Sequence, residues 1–201
     1  MNELDLETAT AAPLAEILRP KTLDDVVGQA PLLGPQGGRL RLMLAHGSLG
    51  SIIFWGPPGT GKTTIARLLA DVADMAFEPI SAVFDGVGQL RKVFDRAAQR
   101  RRQGRSTLLF IDEVHRFNKA QQDGLLPRVE DGTVTLVGAT TENPSFALNR
   151  ALLSRVQVLV LDRLDRAALE AILSRLEVHI GRDLPIDDEA RALLLGMADG
   201  D

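Results

Sequence analysis

Four short stretches of the chain are apolar or β-branched at nearly every position: Ser51-Ile52-Ile53-Phe54-Trp55, Thr107-Leu108-Leu109-Phe110-Ile111, Thr133 to Val137, and Gln157 to Leu161. They are too short for helices and lack a polar alternation, which predicts strands buried on both faces. A fifth stretch, Phe77-Glu78-Pro79-Ile80, contains a proline that cannot donate to a sheet ladder, so it is expected at a sheet edge. The segments between them have helical spacing. Leu14 to Leu18 is a short helical pattern ended by Pro20, and a second helix falls near Leu40 to Ala45. Thr64 to Ala73 opens just after the first strand, and Leu90, Val93, Phe94 and Ala97 share one face of Gly88 to Arg102. Lys119 to Val129 is a further helix, weakened at Gly124 by about 1 kcal/mol relative to alanine.

Strands alternating with helices predict an α/β fold: a parallel five-stranded sheet with helices on both faces. After Asp162 the texture changes. Asp165 to Ile180 and Asp187 to Met197 are amphipathic helices with no strand between them, the expected start of a small helical lid. The expected organisation is a polar, disordered segment at 1–12, a core at 13–162, and a partial lid at 163–201.

Chemistry enters at the end of the first strand. Gly56-Pro57-Pro58-Gly59-Thr60-Gly61-Lys62-Thr63 is a complete G-x-x-x-x-G-K-[ST] phosphate-binding loop, set between strand and helix as that motif requires. Its glycines let backbone N–H groups turn toward a phosphate chain, and the following helix N-terminus adds partial positive charge. Lys62, expected to be exposed, would neutralise the β/γ-phosphates, and the Thr63 hydroxyl would ligate Mg²⁺. Residues 56–63 together with Thr64 are the expected nucleotide-binding set. Only four of the 23 basic residues are lysines, so a lysine at 62 is a choice of a compact ammonium over a planar fork.

Three more elements extend the site. The strand ending at Ile111 runs into Asp112-Glu113, two carboxylates at the sheet edge where open α/β folds bind ligands. Asp112 is expected to hold Mg²⁺ through water, and Glu113 to orient and polarise the attacking water. Gly138-Ala139-Thr140-Thr141-Glu142-Asn143 ends a neighbouring strand, and Thr141 is the expected polar contact to the γ-phosphate or the water. A turn or helix cap before Pro144 is the alternative there. Leu152-Leu153-Ser154-Arg155 places an arginine before the last strand, suited to a finger offered to another subunit's nucleotide, or else to a helix C-cap.

Composition narrows the picture. The net charge of −4 and pI of about 5.4 do not mark a stand-alone DNA binder. Arg96, Arg100, Arg101, Arg102 and Arg105 crowd one helix end, either as a solvated C-terminus or as a contact surface. There is no cysteine, and His46, His115 and His179 lack metal-ligand spacing, so packed or solvated histidines are expected. No apolar run reaches membrane-span length, and the acidic N-terminus lacks the regions of a signal peptide, so a cytoplasmic location is expected.

Together these residues resemble the AAA+ ATPases. Leu18 to Gln29, with Arg19-Pro20, Leu23-Asp24-Asp25-Val26-Val27-Gly28-Gln29, looks like the segment before the P-loop in clamp loaders and their relatives. That likeness implies an adenine pocket lined by Val26 and Val27. A narrower match comes from Phe110 to Asp123, Leu125-Leu126-Pro127, Val129 to Gly132 and Gly138 to Phe146. These are similar to the replication-associated recombination protein A family, related to eukaryotic Werner-helicase-interacting protein. The resemblance covers residues 13 to 201. It implies ATP hydrolysis with Mg²⁺, action on DNA at stalled forks or ends, a homo-oligomer, contact with replication proteins such as single-strand-binding protein, and a nucleoid-associated location. Family members continue past a Gly-Asp like Gly200-Asp201 into an arginine-bearing helix and an oligomerisation domain, so an N-terminal fragment is expected. A clamp-loader-type or Holliday-junction-motor subunit and a nucleotide-dependent interaction module stay open. A small-molecule kinase would leave Arg155 unexplained.

Overall fold

Ile52 and Phe54 contribute to one hydrophobic core and Ile53 to another, and all three are fully buried. The same split runs through Leu108 and Phe110 against Leu109 and Ile111, and through Val137 against Leu136. Because successive side chains point to opposite faces of a strand, apolar residues at every position require a covered layer on each side. That is why these runs are continuous.

The computed structural model describes residues 13–198 apart from Gln36 and Ser48. The disorder expected at 1–12 and the last three residues of the expected lid lie outside the described residues. In chain order the structure has α1 (Leu14–Ile17), a 3-10 turn at Leu23–Asp25, α2 (Ala30–Leu33), α3 (Arg39–Ala45), β1 (Ile52–Trp55) and α4 (Lys62–Val72). There follow β2 (Ala76–Ser81), α5 (Val87–Arg102), β3 (Thr107–Asp112), a second 3-10 turn at Val114–Arg116, α6 (Lys119–Glu130) and β4 (Thr135–Thr140). Last come α7 (Pro144–Ala147), α8 (Arg150–Leu153), β5 (Gln157–Val160), α9 (Arg166–Ile180) and α10 (Asp188–Ala198). Among the described residues no helix is long and apolar enough to cross a membrane.

All strand pairings are parallel, in the order β2-β3-β4-β1-β5. The proline-bearing strand β2 lies at an edge, as its missing N–H requires. β1, β4 and β3 are neighbours, so whatever leaves their carboxyl ends is brought together. One layer packs α4 and the N-terminal segment on the sheet through Leu23, Leu40, Ile65 and Leu69. The other packs α5, α6 and α8 through Leu90, Val93, Leu125 and Leu152.

β4 corrects the expected strand at 133–137. It runs from Thr135 to Thr140, because Gly138 and Ala139 continue the ladder despite their low hydrophobicity. A side chain at Gly138 would lie 2.6 Å from Ile53 Cδ1 and 3.2 Å from Val114 Cγ1, so close packing demands glycine there. Thr133 instead belongs to the turn, where its N–H donates to Asp131 Oδ1 at 2.7 Å. The short helices α2, α7 and α8 were not legible from periodicity. α7 and α8 start on asparagine caps, with Asn143 and Asn149 accepting from Ser145 N and Leu152 N.

Two of the clustered arginines, Arg96 and Arg100, are structural, while Arg102 and Arg105 are exposed. Arg96 and Arg100 both reach Glu78 on β2, with N–O distances of 2.6 Å each, and Glu78 is buried. The Arg96 hydrogen bond holds the Glu78 carboxyl below the usual glutamate range, against the effect of its burial. Arg101 lies 3.9 Å from Asp131.

Candidate functional site

The loop after β1 turns because Gly59 and Gly61 adopt positive φ (+70° and +90°), conformations that disfavour a side chain. Gly56 is required for another reason: a Cβ there would come within 2.3 Å of the Leu161 carbonyl oxygen on the neighbouring strand end. Gly61 stands at the N-cap of α4, so Lys62 and Thr63 occupy its first turn, where N–H groups are unpaired within the helix. Thr60 is buried and its hydroxyl donates to Pro57 O at 3.0 Å, bracing the loop.

Lys62 departs from the expectation of exposure. It is only 8% exposed, and Nζ donates to Gly56 O at 2.8 Å and Pro57 O at 2.6 Å. The side chain folds back over its own loop, because carbonyls facing the loop interior are the nearest partners for a buried ammonium.

Asp112 ends β3, and Glu113 follows in the left-handed region (φ +51°, ψ +48°). For a side-chain-bearing residue that conformation costs about 1 kcal/mol or more and persists only where the surroundings enforce it. Here Val114, fully buried against the Gly138 position, pins the turn. Thr141, just beyond β4, is exposed and its hydroxyl lies 3.4 Å from Glu113 Oε2, a loose contact. Its neighbour Thr140 is fully buried and is braced by Glu142 N at 3.0 Å. β1, β4 and β3 thus bring the loop, Thr141 and Asp112-Glu113 to one sheet edge, as their sequence positions predicted.

A cavity of about 310 Å³ opens beside Gly59, Thr60, Gly61 and Thr64. Val26 and Val27 line it, half-buried, together with Leu18, Arg19, Ile172 and Arg175. Arg19 Nη1 donates to Thr64 Oγ1 at 3.1 Å, and Arg175 Nη2 on α9 donates to Asp25 O at 2.6 Å. Arg175 gave no signal in sequence, since 150 residues separate it from its partner. Gln29, also missed, is buried and donates to Asp162 O at 2.8 Å, tying the segment before the loop to the exit of β5.

The residues present fit a nucleotide with Mg²⁺. The loop is glycine-shaped, a largely apolar cavity adjoins it, and a hydroxyl (Thr63) and a carboxylate (Asp112) are available. Among the described residues no group of three or more His, Asp or Glu side chains could hold a metal alone. That donor set suits a cation bound largely through phosphate oxygens and water.

Arg155 lies beyond α8, away from this cavity. Its guanidinium donates to Glu130 Oε1, the last residue of α6, and to Ala151 O. The other end of α6 is also tied to α8. Buried Gln122 accepts from Asn149 N at 2.8 Å, and Asp123 accepts from Asn149 Nδ2 at 2.8 Å.

A phosphate loop between a central parallel strand and its helix, faced by acids from a nearby strand, defines a P-loop nucleotide-binding protein. Residues 52–164 match the ATPase family associated with various cellular activities (AAA), and the chain belongs to that family. Within it, the chain is 47% identical over 203 residues to Replication-associated recombination protein A of Escherichia coli (strain K12), covering 98% of this chain and 45% of that protein. It is 53% identical over 163 residues to the Haemophilus influenzae protein of the same name, covering 81% of this chain and 36% of the relative. The resemblance drawn from residues 110–146 is therefore borne out. The chain spans less than half the length of these relatives. Among solved structures it is similar to the Thermotoga maritima RuvB Holliday junction branch migration motor. The TM-score is 0.65 at 31% identity, covering 82% of this chain and 55% of that one.

Proposed function

We propose that this chain binds ATP with Mg²⁺ and hydrolyses it to ADP and phosphate, as the motor module of a protein that maintains DNA during replication and recombination. The observation that carries the ATPase reading is the convergence of three neighbouring strand ends: the loop 56–63 from β1, Thr141 from β4 and Asp112-Glu113 from β3. The DNA role is supported by the names of the relatives, which speak of replication and recombination; action at stalled forks or DNA ends is part of the proposal.

In this reading residues 13–162 form the nucleotide-binding core, and α9 and α10 belong to a lid over it. Val26 and Val27 flank the adenine. Backbone N–H groups of the loop through Thr64 surround the phosphates, and Lys62 exchanges its loop carbonyls for β/γ-phosphate oxygens. Thr63 would ligate Mg²⁺ and Asp112 would hold it through water, and the bound ion would neutralise charge on those oxygens. Glu113 orients the attacking water and draws its proton, while Thr141 steadies the γ-phosphate or the water. Arg155 acts on the nucleotide of an adjacent subunit in a homo-oligomer. Cytoplasmic, nucleoid-associated work with partners such as single-strand-binding protein completes the reading.

The test separates binding from chemistry. In the full-length protein, Glu113→Gln is expected to keep ATP and Mg²⁺ binding and to slow hydrolysis by about 10²-fold or more. Asp112→Asn is expected to weaken Mg²⁺-dependent binding. Normal turnover by both variants would refute the assignment. ATP binding without turnover by the unaltered chain would favour an interaction module. The likeness to RuvB favours a second reading, a Holliday-junction motor, and ATPase stimulation by four-way junctions but not by DNA ends would select it.

A further inference from the structure

The His115 side chain is 5% exposed and lies between two carboxylates. Its Nδ1 is 3.1 Å from Glu113 Oε2 and 2.9 Å from Thr140 Oγ1, and its Nε2 is 3.3 Å from Glu142 Oε1. Thr140 Oγ1 accepts from Glu142 N at 3.0 Å and donates to Glu142 O at 3.2 Å, which leaves one lone pair on the oxygen toward the ring. The tautomer with the proton on Nδ1 lets the ring donate toward Thr140 Oγ1 and the Glu113 carboxylate, and that tautomer is part of the proposal below.

We propose that His115 is a positioning residue for Glu113. Its Nδ1–H, shared between Thr140 Oγ1 at 2.9 Å and the Glu113 carboxylate at 3.1 Å, restrains that carboxylate at the angle from which Glu113 meets the attacking water, and Glu142 steadies the far side of the ring. This rests on the reading of Glu113 as the group that activates water. Three observations point to the histidine rather than to Thr141. The Nδ1 contact is shorter than the 3.4 Å from Thr141, the ring is buried where Thr141 is exposed, and the 3-10 turn that carries His115 begins at the strained Glu113 backbone. A carboxylate on a turn this tight has few rotamers, and a buried donor selects among them.

The test uses four variants, with hydrolysis read in the assembled full-length protein and ATP affinity and ring spectra in this chain: His115→Leu, His115→Asn, Glu113→Gln, and the double variant Glu113→Gln/His115→Leu. His115→Leu is expected to lower single-turnover hydrolysis by roughly 10- to 100-fold, the range for removing a group that orients a reactive one, with ATP affinity within about twofold of the parent. His115→Asn keeps a donor near the Nδ1 position and is expected to recover most of that loss. If His115 acts through Glu113, the double variant is no slower than Glu113→Gln alone. A readout without turnover is the ring NMR spectrum. Glu113→Gln should shift the His115 ring signals and leave those of His46 and His179 in place.

Folded His115→Leu hydrolysing at the parental rate overturns the proposal. So does a joint loss of hydrolysis and ATP affinity in both His115 variants, which marks a purely structural histidine. Unchanged His115 ring signals in Glu113→Gln also overturn it. Parental turnover by Glu113→Gln itself locates the failure one step earlier, in the assignment of Glu113.

Discussion

Arg155 and Glu130 form an ion pair at 2.5 Å that joins the end of α8 to the end of α6. Neither residue lines the cavity beside the phosphate loop. Arg155 is partly exposed and braced by its own helix end through Ala151 O at 2.7 Å. An arginine so held is presented outward rather than toward its own loop.

Arg155→Ala is therefore expected to leave nucleotide affinity of the isolated chain within about twofold while removing ATPase activity from the assembled protein. Arginines acting across an interface are worth about 10³–10⁵ in rate in related phosphoryl-transfer systems. Mixing with Lys62→Ala protomers, which still offer Arg155, should restore part of the activity that each variant lacks. Full activity of Arg155→Ala alone would leave the residue as a helix cap.

Lys62→Ala should weaken ATP binding by roughly 10- to 150-fold, the equivalent of losing a charge-assisted contact of about 1.5–3 kcal/mol. Because Lys62 also bonds Gly56 O and Pro57 O, the variant should lose about 1 kcal/mol of stability without nucleotide. Calorimetry and thermal unfolding measure the two effects separately, and unchanged affinity would contradict the role of the loop.

Gly56→Ala and Gly124→Ala should act in opposite directions. At Gly56 the new methyl meets backbone, 2.3 Å from Leu161 O, so β1 and β5 must part. A loss of roughly 1–3 kcal/mol is expected, with weaker nucleotide binding. Gly124 is exposed within α6 and nothing lies within 4 Å of an added Cβ, so alanine should stabilise by up to about 1 kcal/mol. Denaturant midpoints decide both.

Glu78 gives the protein an acid-sensitive edge. Its folded pKa lies below its unfolded value, chiefly through the Arg96 hydrogen bond. Its contribution is thus complete above the ordinary glutamate value of about 4.3 and is lost as pH falls through the lowered folded value. Glu78→Gln should cost about 1–2 kcal/mol at pH 7, since both arginines are partly exposed, and the cost should vanish in strong acid. Urea titrations at pH 7 and below pH 4 test the sign.

The five strands, their parallel alternation with helices and the loop 56–63 were legible in the sequence because each rests on local pattern. A buried strand must be apolar throughout, an edge strand tolerates Pro79, and a phosphate loop needs its glycines in order. The carboxylates Asp112 and Glu113 were legible for the same reason: they end an apolar run. The local signal failed where packing replaced hydrophobicity. Gly138 and Ala139 looked like a strand's end, yet they continue β4 because Ile53 and Val114 leave no room for larger side chains.

Local pattern determined what this protein is built from and which loop carries the phosphate-binding motif. Only the tertiary structure decided the partners of its charged and polar side chains: Lys62 turned inward onto Gly56 and Pro57, Glu78 clamped by Arg96 and Arg100, Arg175 reaching Asp25, and His115 set between Glu113 and Glu142. Hydrophobic burial is read from one segment at a time, because it depends on a residue's own face. A hydrogen bond or ion pair depends on two groups meeting within about 3 Å, and the sheet order that brings distant segments so close is not written in either segment alone.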